Sequence, residues 1–523
     1  MVRVSTLDRL VAGPRSSRRT FLAGAGTLAG VMTAGALRVT PGAAQTPSAS
    51  GELLTEVVID LAGVPESIDP GLAYSPRDWS IVHAIYDAPV TISDDGTIVP
   101  LAAESFTAID ATSWEVRLLP DMTFHDGSPV TSAALVRSLE HILASESDAA
   151  GLFAVVSSID VIDDLTCRIV TSEPAPWLPA QIAVYMVLLP EIDDPTLFLT
   201  NPVGSGPYRY ESQESGSSIT LVRNPDWKST GAKGQPIAER VTYRFVPEPA
   251  TRIADLASGS AGIITEIPHD QMQAITDAGA TPVEASVVGS HFIRVASDIE
   301  PFNLPEVRQA LNLAIDAESI AQALVSPEAH RLASLFPDPR ALGFDAALTP
   351  FPYDPDRARE LLSSVGMESI STVLEVTTGA RLDIAEAIVA QLADVGMQNS
   401  VTVSDYATFN GAWSSPDAPP LRLVTWAPLF DPQSLLALVF ASTGFLSRFD
   451  SPEVDELIAI GAAETDPAQR QATYQELARV MQESAPAVFL WNLTSGYGVA
   501  SDIQSWTPRG DDYVLPLSPG SPA

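Results

Sequence analysis

"TFHDGSPVTSAALVRSLEHI" (Thr123–Ile142) sets a histidine beside an aspartate in a chain that has six histidines in all. Read as chemistry, His125–Asp126 is half of a catalytic or metal site. Read as architecture, it is a turn that opens a helix. Asp126-Gly127 is a turn dipeptide, because glycine tolerates the positive φ that a branched residue resists. Pro129 cannot continue a central strand. Thr131 or Ser132 can cap a helix whose apolar stripe is Leu135, Leu139, Ile142 and Leu143. His141 lies 16 residues downstream and His83 lies 42 upstream, and neither spacing builds a metal site. The stretch therefore reads as strand end, turn and helix, with His125 hydrogen-bonding local backbone.

Composition agrees with a non-catalytic reading. The chain has 523 residues, 46% of them hydrophobic, enough for a sizeable core divided over two or three lobes. A formal charge of −36 argues against nucleic acid or an anionic membrane surface as partner. The single cysteine, Cys167, can form neither an intrachain disulfide nor a cysteine-based zinc site. With Leu165 and Ile169 it reads as the inner face of a strand.

The first 44 residues have a different character. Arg18 and Arg19 precede Phe21, Leu22 and a weakly apolar, Ala- and Gly-rich stretch to Leu37, followed by "PGAAQT". This is the pattern of a twin-arginine export signal, with a cut expected at Ala44–Gln45. No cysteine lies near that cut, so a lipoprotein anchor is not expected. Residues 45–55 read as a linker, and the working protein is placed in the periplasm or at the extracytoplasmic surface.

Beyond the linker, strands and helices alternate. "SWEVRLL" puts Trp114, Val116 and Leu118 on one face, and "RVTYRFV" does the same with Val241, Tyr243 and Phe245. In "PEVRQALNLAI" the positions Val307, Ala310, Leu311, Ala314 and Ile315 follow helical spacing. Asp354 and Pro355 open a helix that Gly366 ends, and Asp466, Pro467 and Gln469 predict a variant capping box. "TVLEVTTG", a helix over Asp383 to Val395, and "NSVTVSDY" form one strand–helix–strand unit.

Enzyme signatures are absent from this pattern. "GSG" at Gly204–Gly206 lacks the nucleophile elbow, and no zinc-protease, P-loop or dinucleotide fingerprint follows a strand. Paired acids such as Asp163-Asp164 and Asp193-Asp194 sit in turn contexts. No catalytic residue, metal ligand or cofactor is expected.

The stretch "LAAESFTAIDATSWEVRLLPDMTFHDGSPVTSAALVRSLEHI" resembles the signature region of the family 5 extracellular solute-binding proteins. The likeness continues in family order through "SIDPGLAYSPRDWSIVHAIYDAPV", "NPVGSGPYRYESQESGSSITLVRNPDW", "VRQALNLAID", "YDPDRARELLSSVG", "WAPLFDPQSLLALVFAS" and the segment from Pro452 to Trp491. It covers roughly Glu56 to Trp506. The resemblance implies an α/β chain with the type II periplasmic-binding-protein fold, two main lobes hinged over a ligand and a third lobe inserted in the first. Carried over, the first lobe combines 56–90, 203–294 and a return with the C-terminal tail over 486–523. The inserted lobe is 91–202, and the second lobe is 295–485.

The same resemblance implies the extracytoplasmic binding component of an ABC importer, a monomer that delivers a peptide-like or other small polar solute to a permease with its ATPases. By family position the ligand meets Tyr74 and Arg77, then Trp426 and Asp431, with Trp491 and Asn492 crossing near the hinge. Peptide-binding members often carry an aspartate where this chain has Leu429, which weakens a free-ammonium peptide and favours sugars, modified peptides or metal chelates. A ligand sensor or other non-transport binding protein, such as an adhesion protein, built on the same fold is the competing class.

Overall fold

The computed structural model describes residues 53–520 apart from 146–148, 193, 379–380 and 414. Arg18, Arg19, the apolar stretch after them and the expected cut at Ala44–Gln45 lie outside the described residues.

A ten-stranded mixed sheet runs through the molecule. From one edge its strands are Met397–Ser404, Ile370–Thr377, Leu421–Trp426, Thr281–Val295 and Ala487–Val499. It continues through Ile263–Ile264, Leu54–Leu61, Ala238–Phe245, Ser218–Arg223 and Tyr208–Glu214. The two long central strands hold the halves together. Thr281–Val287 pairs with Val499–Leu493, while Ser290–Val295 also pairs with Leu421–Trp426 on its other side. The register slips between Val287 and Ser290, where the chain passes from one half of the sheet to the other. Gly289 sits at this slip, and any Cβ there would strike the Leu493 side chain and the Trp426 carbonyl.

The half beyond Leu421–Trp426 contains the expected strand–helix–strand unit. Ile370–Thr377 and Met397–Ser404 are parallel neighbours joined through the helix Leu382–Asp394. Its core gathers Val307, Leu311, Ile315, Leu374, Ile388, Leu392 and Trp491. Asp354 caps the helix Pro355–Ser364 by accepting from the Arg357 N–H at 2.9 Å, and Gly366 follows with φ +70°. At the helix Pro467–Ser484, Asp466 accepts from the Gln469 N–H, but the reciprocal arm expected from Gln469 is replaced. The Asp466 N–H donates instead to Glu464 at 2.8 Å.

A separate four-stranded antiparallel sheet (Ala103–Asp110, Ser113–Leu118, Thr166–Thr171, Val156–Val161) carries the opening stretch. Asp126-Gly127 is a turn, with φ +88° at Gly127 and Asp126 accepting from the Ser128 N–H. The helix Ala133–Ala144 follows. Three details differ from expectation. Ser132 makes no cap, because its hydroxyl donates to the Asp163 carbonyl at 2.6 Å. Leu143 leaves the apolar stripe and is 47% exposed. His125 binds distant backbone: Nε2 donates to the Gly206 carbonyl at 3.1 Å and Nδ1 accepts from the Gly204 N–H at 3.2 Å. The glycines of "GSGPY" are needed there for another reason too, since a Cβ on either would run into the Ile85 backbone. Cys167 is fully buried opposite Val116, and burial pushes its thiol up to about 12.

Candidate binding cleft

A cleft open to solvent lies where three parts of the chain meet. The start of the helix Pro76–Ile85 supplies Tyr74, Ser75, Pro76 and Trp79. The four-stranded-sheet region supplies Leu152, Ala180, Gln181, Val184 and Tyr185. The end of the strand Leu421–Trp426 supplies Trp426, Ala427, Pro428, Phe430 and Asp431, and the C-terminal stretch adds Tyr513.

The first wall is fixed by a reciprocal cap. The Ser75 hydroxyl accepts from the Asp78 N–H at 3.2 Å, while the Asp78 carboxylate accepts from the N–H groups of Ser75, Tyr74 and Glu66. This holds the backbone before the helix against its first turn, so Tyr74 and Trp79 take fixed places on the cleft. An aromatic chain backs them. Tyr74 and Tyr185 have ring centroids 6.1 Å apart, and Trp79 meets Tyr185 edge-on at 5.4 Å. His83 joins Trp79 at 5.2 Å and stacks on Tyr513 at 5.5 Å. Burial, then the nearby charges of Lys233 and Arg509, hold the His83 imidazole well below its usual range. Two donors on this wall, the Trp79 indole N–H and the Tyr513 hydroxyl, are buried without a hydrogen-bond partner.

The opposite wall carries Trp426, 4% exposed, and Asp431. Asp431 is the one charged side chain among the described residues lining the cleft. It is already paired. Arg470 holds it with two contacts, Nη1–Oδ2 at 2.5 Å and Nη2–Oδ1 at 3.0 Å, and Oδ1 also accepts from the Gln433 N–H. Arg470 in turn donates to the Gly461 carbonyl and the Tyr474 hydroxyl, and Tyr474 donates to Gln433. The carboxylate and guanidinium are 9% and 7% exposed.

The other sequence candidates fall elsewhere. Arg77 points into a second, smaller hollow, where its Nε donates to Glu266 at 2.9 Å. Ser495, Tyr497 and Asp512 share that hollow, and burial pushes the Asp512 carboxyl up to about 7, with the Tyr497 hydroxyl donating to it. Trp491 is 1% exposed in the core behind the central strands, its ring 5.9 Å from His291. Asn492 is fully buried; its side-chain Oδ1 accepts from the His330 N–H at 2.8 Å and its Nδ2 donates to the Ser286 hydroxyl. Neither Trp491 nor Asn492 lines the cleft. Leu429 is also off the wall: it is fully buried, and its N–H donates to the Val288 carbonyl at 2.7 Å. Trp79, Gln181, Tyr185, Phe430 and Tyr513 escaped the sequence reading. Only Trp79 had a local signal, one helical turn after Ser75-Pro76.

Among the described residues no group of three or more His, Cys, Asp or Glu side chains comes together as metal ligands, and no helix is long and apolar enough to cross a membrane.

Comparison with known proteins places the chain in a family and a fold. The probable D,D-dipeptide-binding periplasmic protein DdpA of Escherichia coli (strain K12) is 26% identical over 465 residues, covering 83% of this chain and 88% of that protein. The glutathione-binding protein GsiB of Pectobacterium atrosepticum is 27% identical over 470 residues, again covering 83% and 88%. Among solved structures, the ABC transporter substrate-binding protein CtaP of Listeria monocytogenes superposes with a TM-score of 0.79 at 22% identity, covering 89% of this chain and 99% of that one. DppA of Helicobacter pylori, in complex with the peptide STSA, gives 0.74 at 19% identity, covering 90% and 99%. These structures share the type II periplasmic-binding-protein fold with this chain. The family model of the bacterial extracellular solute-binding proteins, family 5 Middle, matches residues 97–447, more than half of the sequence, and the chain belongs to that family.

Proposed function

We propose that this chain is the extracytoplasmic binding component of an ABC importer and that its ligand is a polar solute without free charges, a neutral sugar or a peptide blocked at both ends. The observation that carries the ligand class is the pairing of Asp431 with Arg470. A zwitterionic peptide entering the cleft would desolvate an ammonium and a carboxylate, each at a cost of several kcal/mol, with no unpaired opposite charge on the wall to offset it. A neutral ligand avoids that cost. Its flat or apolar faces would lie against Tyr74 and Trp426.

Lobes divided near the boundaries expected from sequence, with the long strands Thr281–Val295 and Ala487–Val499 as the hinge, supply the mechanism. Ligand that touches both walls stabilises the closed arrangement, and a permease with its ATPases distinguishes closed from open. Export by the twin-arginine route, a monomeric state and the absence of catalysis belong to the same reading. A thermal-shift panel of matched pairs tests it: free-terminus dipeptides, the same dipeptides acetylated and amidated, and neutral oligosaccharides. Stabilisation by blocked peptides or sugars is the expected result. Stabilisation by free dipeptides, lost on blocking, would overturn the ligand class.

A further inference from the structure

Two arginines face each other inside the sheet. Arg294 on the strand Thr281–Val295 is the direct cross-strand partner of Arg422 on Leu421–Trp426, and both are 1% exposed or less. Like charges directly opposite one another destabilise a pair of strands. Arg422 has compensation: its Nε donates to Glu375 at 2.7 Å, its Nη2 donates to the Phe409 carbonyl, and it lies 3.7 Å over the Phe409 ring. Arg294 has neither a carboxylate partner nor an acceptor. Its Nε, Nη1 and Nη2 are all buried without an acceptor, and its guanidinium carbon lies 5.7 Å from the centroid of the Trp413 ring. The Nδ2 of Asn410, whose side-chain oxygen holds the Trp413 indole at 3.1 Å, is likewise a buried donor without a partner.

Charge counts the same way. Arg294, Arg422 and Arg448 stand against Glu375 and Asp298, the latter taken by Arg448 at 2.9 Å, so one positive charge is left over. A buried guanidinium without acceptor or counter-charge costs several kcal/mol. Burial, reinforced by Arg422 and Arg448, lowers Arg294 to about 9. We propose that Arg294, beside Trp413 and Asn410, holds a small monovalent anion of the halide type, which supplies the missing charge and accepts the orphaned N–H groups. A monovalent ion matches the surplus of one. Enclosure at this depth makes it part of the folded half-sheet, separate from the ligand cleft.

The test uses the whole protein in chloride-free gluconate buffer, with chloride added at constant ionic strength. The native Tm is expected to rise with chloride, by about 3 °C at a hundredfold excess over its Kd. Arg294→Met is expected to lose that dependence. An equal chloride response in native and variant, or none in native, overturns the proposal. Native crystals grown in bromide keep the proposal falsifiable should Arg294→Met fail to fold. An anomalous peak within hydrogen-bonding reach of the Arg294 guanidinium supports it, and no peak there overturns it.

Discussion

Removing Arg470 tests how strongly the cleft depends on its internal ion pair. Arg470→Met leaves the Asp431 carboxylate at 9% exposure without its two guanidinium contacts, and it also empties the donors to Gly461 and Tyr474. Breaking a buried pair from one side costs about 3–5 kcal/mol, most of it the uncompensated charge left behind. Asp431→Leu strands the guanidinium in the same way and should cost a similar amount. The double variant leaves no charge behind, so it should lose less than the sum of the two and less than Arg470→Met alone. Urea unfolding followed by tryptophan fluorescence reads all three. A second readout separates this from plain packing: with Asp431 unpaired, Arg470→Met should be stabilised by a free-terminus dipeptide more than native protein is. Single variants that each cost under about 1 kcal/mol, the range of solvent-exposed pairs, would refute the reasoning.

Other consequences follow from neighbouring geometry. Trp426→Leu keeps apolar volume but removes the ring face, and ligand affinity measured by titration calorimetry should fall tenfold or more; unchanged affinity would remove Trp426 from the site. The Asp512 carboxyl is raised from 3.8 to about 7 in the fold, so between those values the folded chain binds a proton that the unfolded chain releases. Stability from this group is therefore present at low pH and lost as pH rises toward 7. Asp512→Asn, an exchange suited to the positive φ of 63° there, should flatten that slope in thermal unfolding between pH 4 and 7. His125 accepts at Nδ1 and donates from Nε2, which requires the neutral ring, and burial holds it down to about 4. Nitrogen-15 spectra at pH 6 should show the Nε2–H tautomer, and a charged imidazole there would contradict the assignment.

What could be read from sequence was what the chain encodes within a few residues. Asp354 with Pro355, and Asp466 with Pro467, sit next to the N–H groups they cap, so their helices start where expected. The alternation of Trp114, Val116 and Leu118 survives because one strand face meets the core. Failures occur where a side chain had a choice of partners. Ser132 could cap its own helix or reach Asp163, and Glu464 competed with Gln469 for the Asp466 N–H; tertiary placement decided both. The cleft follows the same rule. Tyr74, Trp426 and Asp431 came from family position, but Tyr185 and Tyr513 reach the wall from segments more than 100 and 400 residues beyond Tyr74. Nothing local marks them. Nor could sequence reveal that Asp431 is bound by Arg470, or that Leu429 turns into the core, and those two facts set the expected ligand.

The most direct test is native mass spectrometry of the protein, purified from its own culture without added ligand, with fragmentation of whatever it retains. The account predicts a neutral molecule rich in hydrogen-bond acceptors, lacking a free ammonium and a free carboxylate. A retained peptide with both termini free would contradict it.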